Sequence, residues 1–226
     1  KALLKKGHLI VEDDLEILNK AKIDQVVVRS PLTCETSHGV CRQCYGWSMD
    51  TKKLVVIGHP VGVVAAQSTG GSGTQLTMRV KHTGGIVGLD VTQGLPRVEE
   101  LFEARTPKAL SPISEISGKI SIEQTPQGYE ITVKSTSKPV EEKSYLVPLT
   151  SALKVKNRQL IAAGQRAPSD SVGLKDILKV KGLQAVQEYL IEETQKVYES
   201  QGIPINDRHF EVIVSKMCDK VKIDNP

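Results

Sequence analysis

The chain has 226 residues, enough for one large core or two smaller ones. Hydrophobic residues make up 39% and charged residues 25%, which excludes a wholly disordered chain, while aromatics at 4% leave the cores to Val, Ile and Leu. A formal charge of +4 is too small for composition alone to imply nucleic-acid binding, and no apolar run approaches the ~18–20 residues of a membrane helix.

The opening KALLKKGHLIVEDDLE lacks the apolar core and cleavage site of a secretion signal, so the chain reads as cytosolic. It starts without Met and ends at KIDNP, which suggests a segment of a longer chain. Leu15, Leu18 and Ala21 predict a helix, and a short strand follows over Gln25 to Arg29. Next come the cysteines. Residues 54–57, LVVI, read as a buried strand closed by Gly58, and VGVVAAQS starts a second helix at Val61, after Pro60.

The stretch GTQLTMRVKHTGG places Gln75, Met78, Arg79 and His82 at i, i+3, i+4 and i+7, one polar face of a short helix. Leu76, Val80 and Thr83 line the other side. Gly70, Gly71 and Gly73 before it, with Gly84, Gly85 and Gly88 after it, read as hinges. In QGLPRVEELFEAR, Pro96 marks a helix start, Glu99 and Glu100 lie in the early turns and Arg105 near the end, with Leu95, Val98, Leu101 and Phe102 forming one stripe. The acidic residues Asp13, Asp14, Glu99 and Glu100 read as helix surface rather than as a metal-holding carboxylate cluster.

After Pro107 the texture alternates, with turn signals at Ser117-Gly118 and Gln127-Gly128, the pattern of paired β-hairpins in a small barrel. SYLVPL and ALKVKNRQLIAAGQ supply its remaining strands. The final ~50 residues return to helix, one stripe carrying Leu183, Val186, Leu190 and Val197 and another Phe210, Ile213, Val214, Met217 and Val221.

Three of the four cysteines, Cys34, Cys41 and Cys44, are spaced C-x6-C-x2-C in CETSHGVCRQCYG. The C-x2-C knuckle lets two thiolates reach one tetrahedral zinc, and the clustering suits a metal better than a disulfide framework. A fourth ligand is needed. His38 lies between the thiolates, Cys218 sits far off on an apolar helical face, and the favoured alternative is a residue upstream of Lys1. A site closed by four protein ligands is structural, since no position is left for water or substrate.

In order along the chain, RSPLTCETSHGVCRQCYG, VGVVAAQS, GTQLTMR, HTGG, TQGLPRVEELFEAR and QGIPINDRHFEVIV resemble the C-terminal half of the bacterial RNA polymerase beta-prime subunit. The likeness covers nearly the whole chain. It implies an α+β chain in three parts: residues 1–58 with the zinc-binding cysteines Cys34, Cys41 and Cys44, residues 59–106 with a mobile helical hairpin, the trigger loop, and residues 107–226, a small β-barrel-like jaw with C-terminal helices.

The resemblance also implies what the polar face does. The trigger loop folds over an incoming nucleoside triphosphate, with Met78 stacking on the base, Gln75 near the ribose, and Arg79 and His82 approaching the triphosphate. Phosphoryl transfer depends mainly on positioning and electrostatics, and His82 could either donate a proton to pyrophosphate or act as a positive contact. The jaw lies along downstream DNA, with Arg166, Lys175, Lys179 and Lys181 as candidate contacts.

By the same resemblance zinc is structural, with its fourth ligand outside this sequence, and magnesium is bound outside it too. The implied partners are the beta, alpha and omega subunits and a sigma factor, template DNA, RNA and the nucleoside triphosphate, in a nucleoid-associated cytoplasmic enzyme with no membrane contact. Alone, the chain is expected to be inactive.

The chain departs from the family pattern SIGEPGTQLTMRTFHTGG at Thr69, Gly71, Ser72, Val80 and Lys81, where the family has Ile, Glu, Pro, Thr and Phe. Exchanging Pro for Ser72 and Glu for Gly71 predicts a looser N-terminal hinge. The rival reading is a non-catalytic zinc-knuckle and β-barrel module that binds nucleic acid or protein, and it leaves the polar-faced helix unexplained. A biotinyl or lipoyl carrier barrel would need a lysine at a tight hairpin tip, which the sequence lacks.

Overall fold

The computed structural model describes residues 3–82, 94–107, 112–126, 128–135, 140–147, 155–165, 172–223 and 225, with the side chains of 75–82 outside the description. Helix and sheet are mixed, and the chain divides into two units, one formed by residues 1–71 and 205–226 and the other by 72–204.

The first unit begins with α1 (Glu12–Lys20), whose first turn carries Glu12, Asp13 and Asp14 where the helix dipole favours negative charge. Asp14 is buried rather than on the surface: its carboxylate accepts from the Val11 amide at 3.0 Å and bonds the His8 ring at 2.9 Å. Residues 25–29 do not form the expected strand, and no neighbouring strand pairs with them among the described residues. Val27 is fully exposed there.

A 3₁₀ turn (Pro31–Thr33), capped by Ser30, leads into the cysteines and α2 (Arg42–Tyr45). The strands β1 (Trp47–Ser48) and β2 (Lys53–Leu54) then pair antiparallel, Trp47 opposite Leu54. The expected buried strand at 54–57 is therefore shorter: Val55 is buried, but Val56 and Ile57 are exposed as the chain turns toward Pro60. Tyr45, Val55, Ala65 and Val212 form this unit's core, with Val40, Val61 and Ile213 against it.

The long helix α3 (Val61–His82) runs without interruption through Gly70, Gly71 and Gly73, where hinges were expected. Glycine costs about 1 kcal/mol per helical position but does not stop a helix, whereas Pro would remove an amide and clash with the preceding turn. Ser72 stands at that position and can donate its amide. Gly73 is packed: a Cβ there would lie 3.3 Å from Leu95 Cδ1 and 3.9 Å from the Tyr198 hydroxyl.

The second unit holds α4 (Leu95–Phe102), the strands β3 (Gly118–Thr125), β4 (Gly128–Ser135), β5 (Glu142–Val147) and β6 (Leu160–Ile161), then α5 (Leu174–Lys181) and α6 (Leu183–Ser200). Helix α4 stops three residues before Arg105, which pairs with Glu103 outside it. The sheet is antiparallel in the order β5-β4-β3-β6. Ile120 pairs with Val133 and Ile122 with Ile131, so the two-residue period turns Ile120, Ile131, Val133, Val147 and Ile161 into one core. Gly118 opens β3 rather than forming a turn, and Gln127 lies outside the described residues.

Helix α6 contacts both α4 and α5. Its apolar face buries Val186 and Leu190, as its stripe predicts, while Leu183 is half exposed at the start. The last helix, α7 (Asp207–Met217), belongs to the first unit. Phe210 and Val214 are fully buried on it, while Val221 lies beyond its end and is exposed.

Candidate metal centre

The cysteine site is built from two short pieces of chain. Cys34 closes the 3₁₀ turn, Cys41 is the N-cap of α2, and Cys44 lies within that helix, buried. The spacing lets α2 fold so that the Cys44 amide donates to Cys41 Sγ at 3.3 Å, while the Cys41 amide donates to Cys34 Sγ at 3.2 Å. Gly46, at φ +79°, ends the helix with a conformation that a side chain disfavours, turning the chain into β1.

The three sulfur atoms lie within 4.8 Å of one another. Thiolates at ~2.3 Å from a tetrahedral zinc stand about 3.8 Å apart, so a small contraction brings this trio around the ion. Burial raises the Cys34 thiol, but the Cys41 amide and the Thr36 hydroxyl and amide outweigh it and lower its pKa to about 6. Burial, then the neighbouring Cys41 and Cys34, push Cys44 up to about 11. Cys34 is thus easier to deprotonate than Cys44, and a divalent cation would displace the protons that remain. The donor set fits zinc.

His38 is exposed and does not join this group, and Cys218 caps the end of α7. Around the knuckle, Arg29 donates to Gln43 of α2 at 2.6 Å, and Tyr45 packs its ring 6.2 Å from that of His59. Arg208 of α7 lies over the Tyr45 ring at 5.2 Å and donates to the Trp47 carbonyl. Neither Arg208 nor its neighbour Glu211 stands out in the sequence, since each acts across more than half the chain. The available signal was polar residues at i, i+3 on a helix otherwise striped with apolar ones.

The other candidate residues are placed as follows. Gln75, Met78, Arg79 and His82 fall on the last two turns of α3, and their side chains lie outside the described residues. Arg166 lies outside them too. Lys175 is exposed on α5. Lys179 pairs with Glu115 at 3.2 Å, and Lys143 reaches the same carboxylate; Lys143 first and Lys179 second hold Glu115 below the usual carboxylate range. The Lys181 stem crosses Gly164 so closely that any Cβ there would collide with it.

Glu100 is a correction to the surface reading. It is buried, 3.2 Å from Arg97, which also reaches Glu193 at 3.5 Å and donates to the Tyr189 hydroxyl at 3.3 Å. The same Tyr189 oxygen accepts the Val172 amide.

These features define a mixed helix-and-sheet chain with a cysteine knuckle suited to zinc. A family model described as RNA polymerase Rpb1, domain 5 matches residues 7–226, and the chain belongs to that family. It is 50% identical over 224 residues, 99% of its length, to the DNA-directed RNA polymerase subunit beta' of Caldanaerobacter subterraneus subsp. tengcongensis. The same-named subunits of Thermoanaerobacter sp. strain X514 and Clostridioides difficile strain 630 are 51% and 46% identical over 226 residues, the whole chain. The chain spans 19% of the length of each of these relatives. No helix among the described residues is long and apolar enough to cross a membrane.

Proposed function

We propose that the chain serves transcription as a segment of the beta-prime subunit of a DNA-directed RNA polymerase. The observation that carries this reading is the near-50% identity to subunits of that name along the entire chain. The enzyme is a nucleotidyltransferase whose carboxylate-held magnesium lies outside this segment, in keeping with acidic side chains that here cap or pair within helices. Its other subunits, sigma factor, template DNA, RNA and nucleoside triphosphate are the partners, in the nucleoid-associated cytoplasm.

Residues 59–106 act as the trigger loop between the cysteine segment, 1–58, and the jaw, 107–226. On α3, Arg79 and His82 approach the triphosphate and Gln75 and Met78 the nucleoside. Their i, i+3, i+4 and i+7 spacing within a helix 22 residues long supports the assignment. A guanidinium and an imidazole aimed at the phosphates would stabilise the charge that spreads over oxygen in the transition state. Cys34, Cys41 and Cys44 hold a structural zinc with one further ligand from the rest of the subunit, and the metal supplies cross-linking rather than chemistry. Arg166, Lys175, Lys179 and Lys181 contact downstream DNA through charge, Lys179 by exchanging Glu115 for phosphate.

Single-turnover nucleotide addition by an assembled polymerase carrying this segment tests the assignment. Arg79→Ala and His82→Ala are expected to slow addition by about tenfold or more, a loss of about 1.4 kcal/mol per factor of ten, without weakening retention of the template. Unchanged rates in both variants would remove the trigger-loop reading.

A further inference from the structure

The metal centre is assembled from two pieces of chain, and α7 grips both. Cys34 closes the 3₁₀ turn, while Cys41 and Cys44 belong to α2. On the α2 side, the Arg208 guanidinium covers the ring of Tyr45, the residue after Cys44, at 5.2 Å and donates to the Trp47 carbonyl beyond the Gly46 turn. On the other side, the pKa of the Glu211 carboxyl is raised by burial and lowered by the Ser30 side chain beside it, and the Ser30 hydroxyl oxygen accepts the Leu32 amide at 3.1 Å and so caps the turn that ends in Cys34. Arg208 and Glu211 stand at i and i+3, on one face of α7. Helix α7 also packs directly on the 3₁₀ turn.

We propose that Arg208 and Glu211 are positioning residues for the thiolate cluster, α7 serving as a splint that keeps Cys34 in register with Cys41 and Cys44. Neither side chain is a ligand. They act through a ring, a carbonyl and a hydroxyl, one step behind the sulfurs. Three thiolates repel as they approach one ion, and the two chain pieces must be held together against that repulsion. Where the protein has already done so, metal binding does not bear the ordering cost. The contacts with Trp47 and Ser30 also explain why the two groups are half-buried on a helix 160 residues downstream, where burying a guanidinium and a carboxylate without partners would cost stability.

The inference rests on the zinc reading of the cysteines, and one experiment separates the two. Zinc affinity of the 226-residue chain, measured with zinc alone against a competing chelator, is compared for the wild type, Arg208→Met, Arg208→Lys and Glu211→Ala. Loss of an outer-shell partner typically costs 10–100-fold in metal affinity, so Arg208→Met and Glu211→Ala are expected to bind about tenfold or more weakly. Arg208→Lys falls between, because an ammonium retains the contact with the Tyr45 ring but not the guanidinium fork. Helicity by far-UV circular dichroism should be unchanged, since Asn206 caps α7 through the Arg208 amide rather than its side chain. A wild type that binds zinc beside variants that bind it equally tightly overturns the inference and leaves the metal reading standing. A wild type that takes up no zinc overturns the inference too, because the three thiolates are then not held ready for the ion without the fourth ligand from the rest of the subunit.

Discussion

Arg97 sits almost without solvent between two carboxylates and a phenol, and a buried ion of this kind is held by its partners rather than by water. Lys196, 3.1 Å from Glu193, carries the chain of alternating charge out to the surface. Replacing Arg97 with Met leaves Glu100 buried and unpaired. It should lower the stability of the chain by about 3 kcal/mol in denaturant titration, and a loss below about 1 kcal/mol would show that the network is not what holds α4 to α6. Asp14 yields a pH prediction. The Val11 amide first, and the His8 ring second, lower its pKa below the ordinary 3.8. A lowered folded pKa means the contribution is present above the unfolded value and is lost as pH falls through the folded one. The Val11 amide resonance should therefore titrate with a midpoint below 3.8, and a midpoint above it would contradict the cap. The cysteines were legible in the sequence because zinc spacing is a local signal. Arg97 was not, because Tyr189 lies 92 residues away, and Arg208 was not, because Trp47 lies 161 residues away.

At the scale of the element, α3 is where local propensity and the fold part company. Glycines at 70, 71 and 73 suggested hinges, yet one helix spans Val61–His82. Their three penalties add to roughly 3 kcal/mol, which packing has to offset. Gly70 has nothing within 4 Å of a would-be Cβ, so Gly70→Ala should raise stability by about 0.5–1 kcal/mol. Ser72→Pro should kink the helix and cost about 3 kcal/mol or more. Thermal or denaturant unfolding of both variants checks the continuity of α3: a Ser72→Pro chain as stable as wild type would mean the helix is not continuous there. The hairpin of β3 and β4 was readable from its two-residue alternation. The strands over 25–29 and 54–57 were overcalled, because apolar content says nothing about whether a neighbour is present to pair the backbone.

At the scale of the molecule, the chain makes two units, each with its own core, and belongs to a family whose subunits are about five times longer. A segment of this size with no magnesium-holding carboxylate cluster among its described residues is expected to add no nucleotides by itself. The central proposal is that it works as a segment of a polymerase. The most direct measurement is to replace the matching fifth of the Thermoanaerobacter beta' subunit with this chain, assemble the enzyme, and follow extension of an RNA primer on a template. The hybrid is predicted to assemble and extend RNA in a magnesium-dependent way, and to slow by about tenfold or more when His82 or Arg79 is replaced with alanine. An enzyme that assembles with the chain in place yet extends no RNA, or one whose rate ignores both substitutions, would contradict the account.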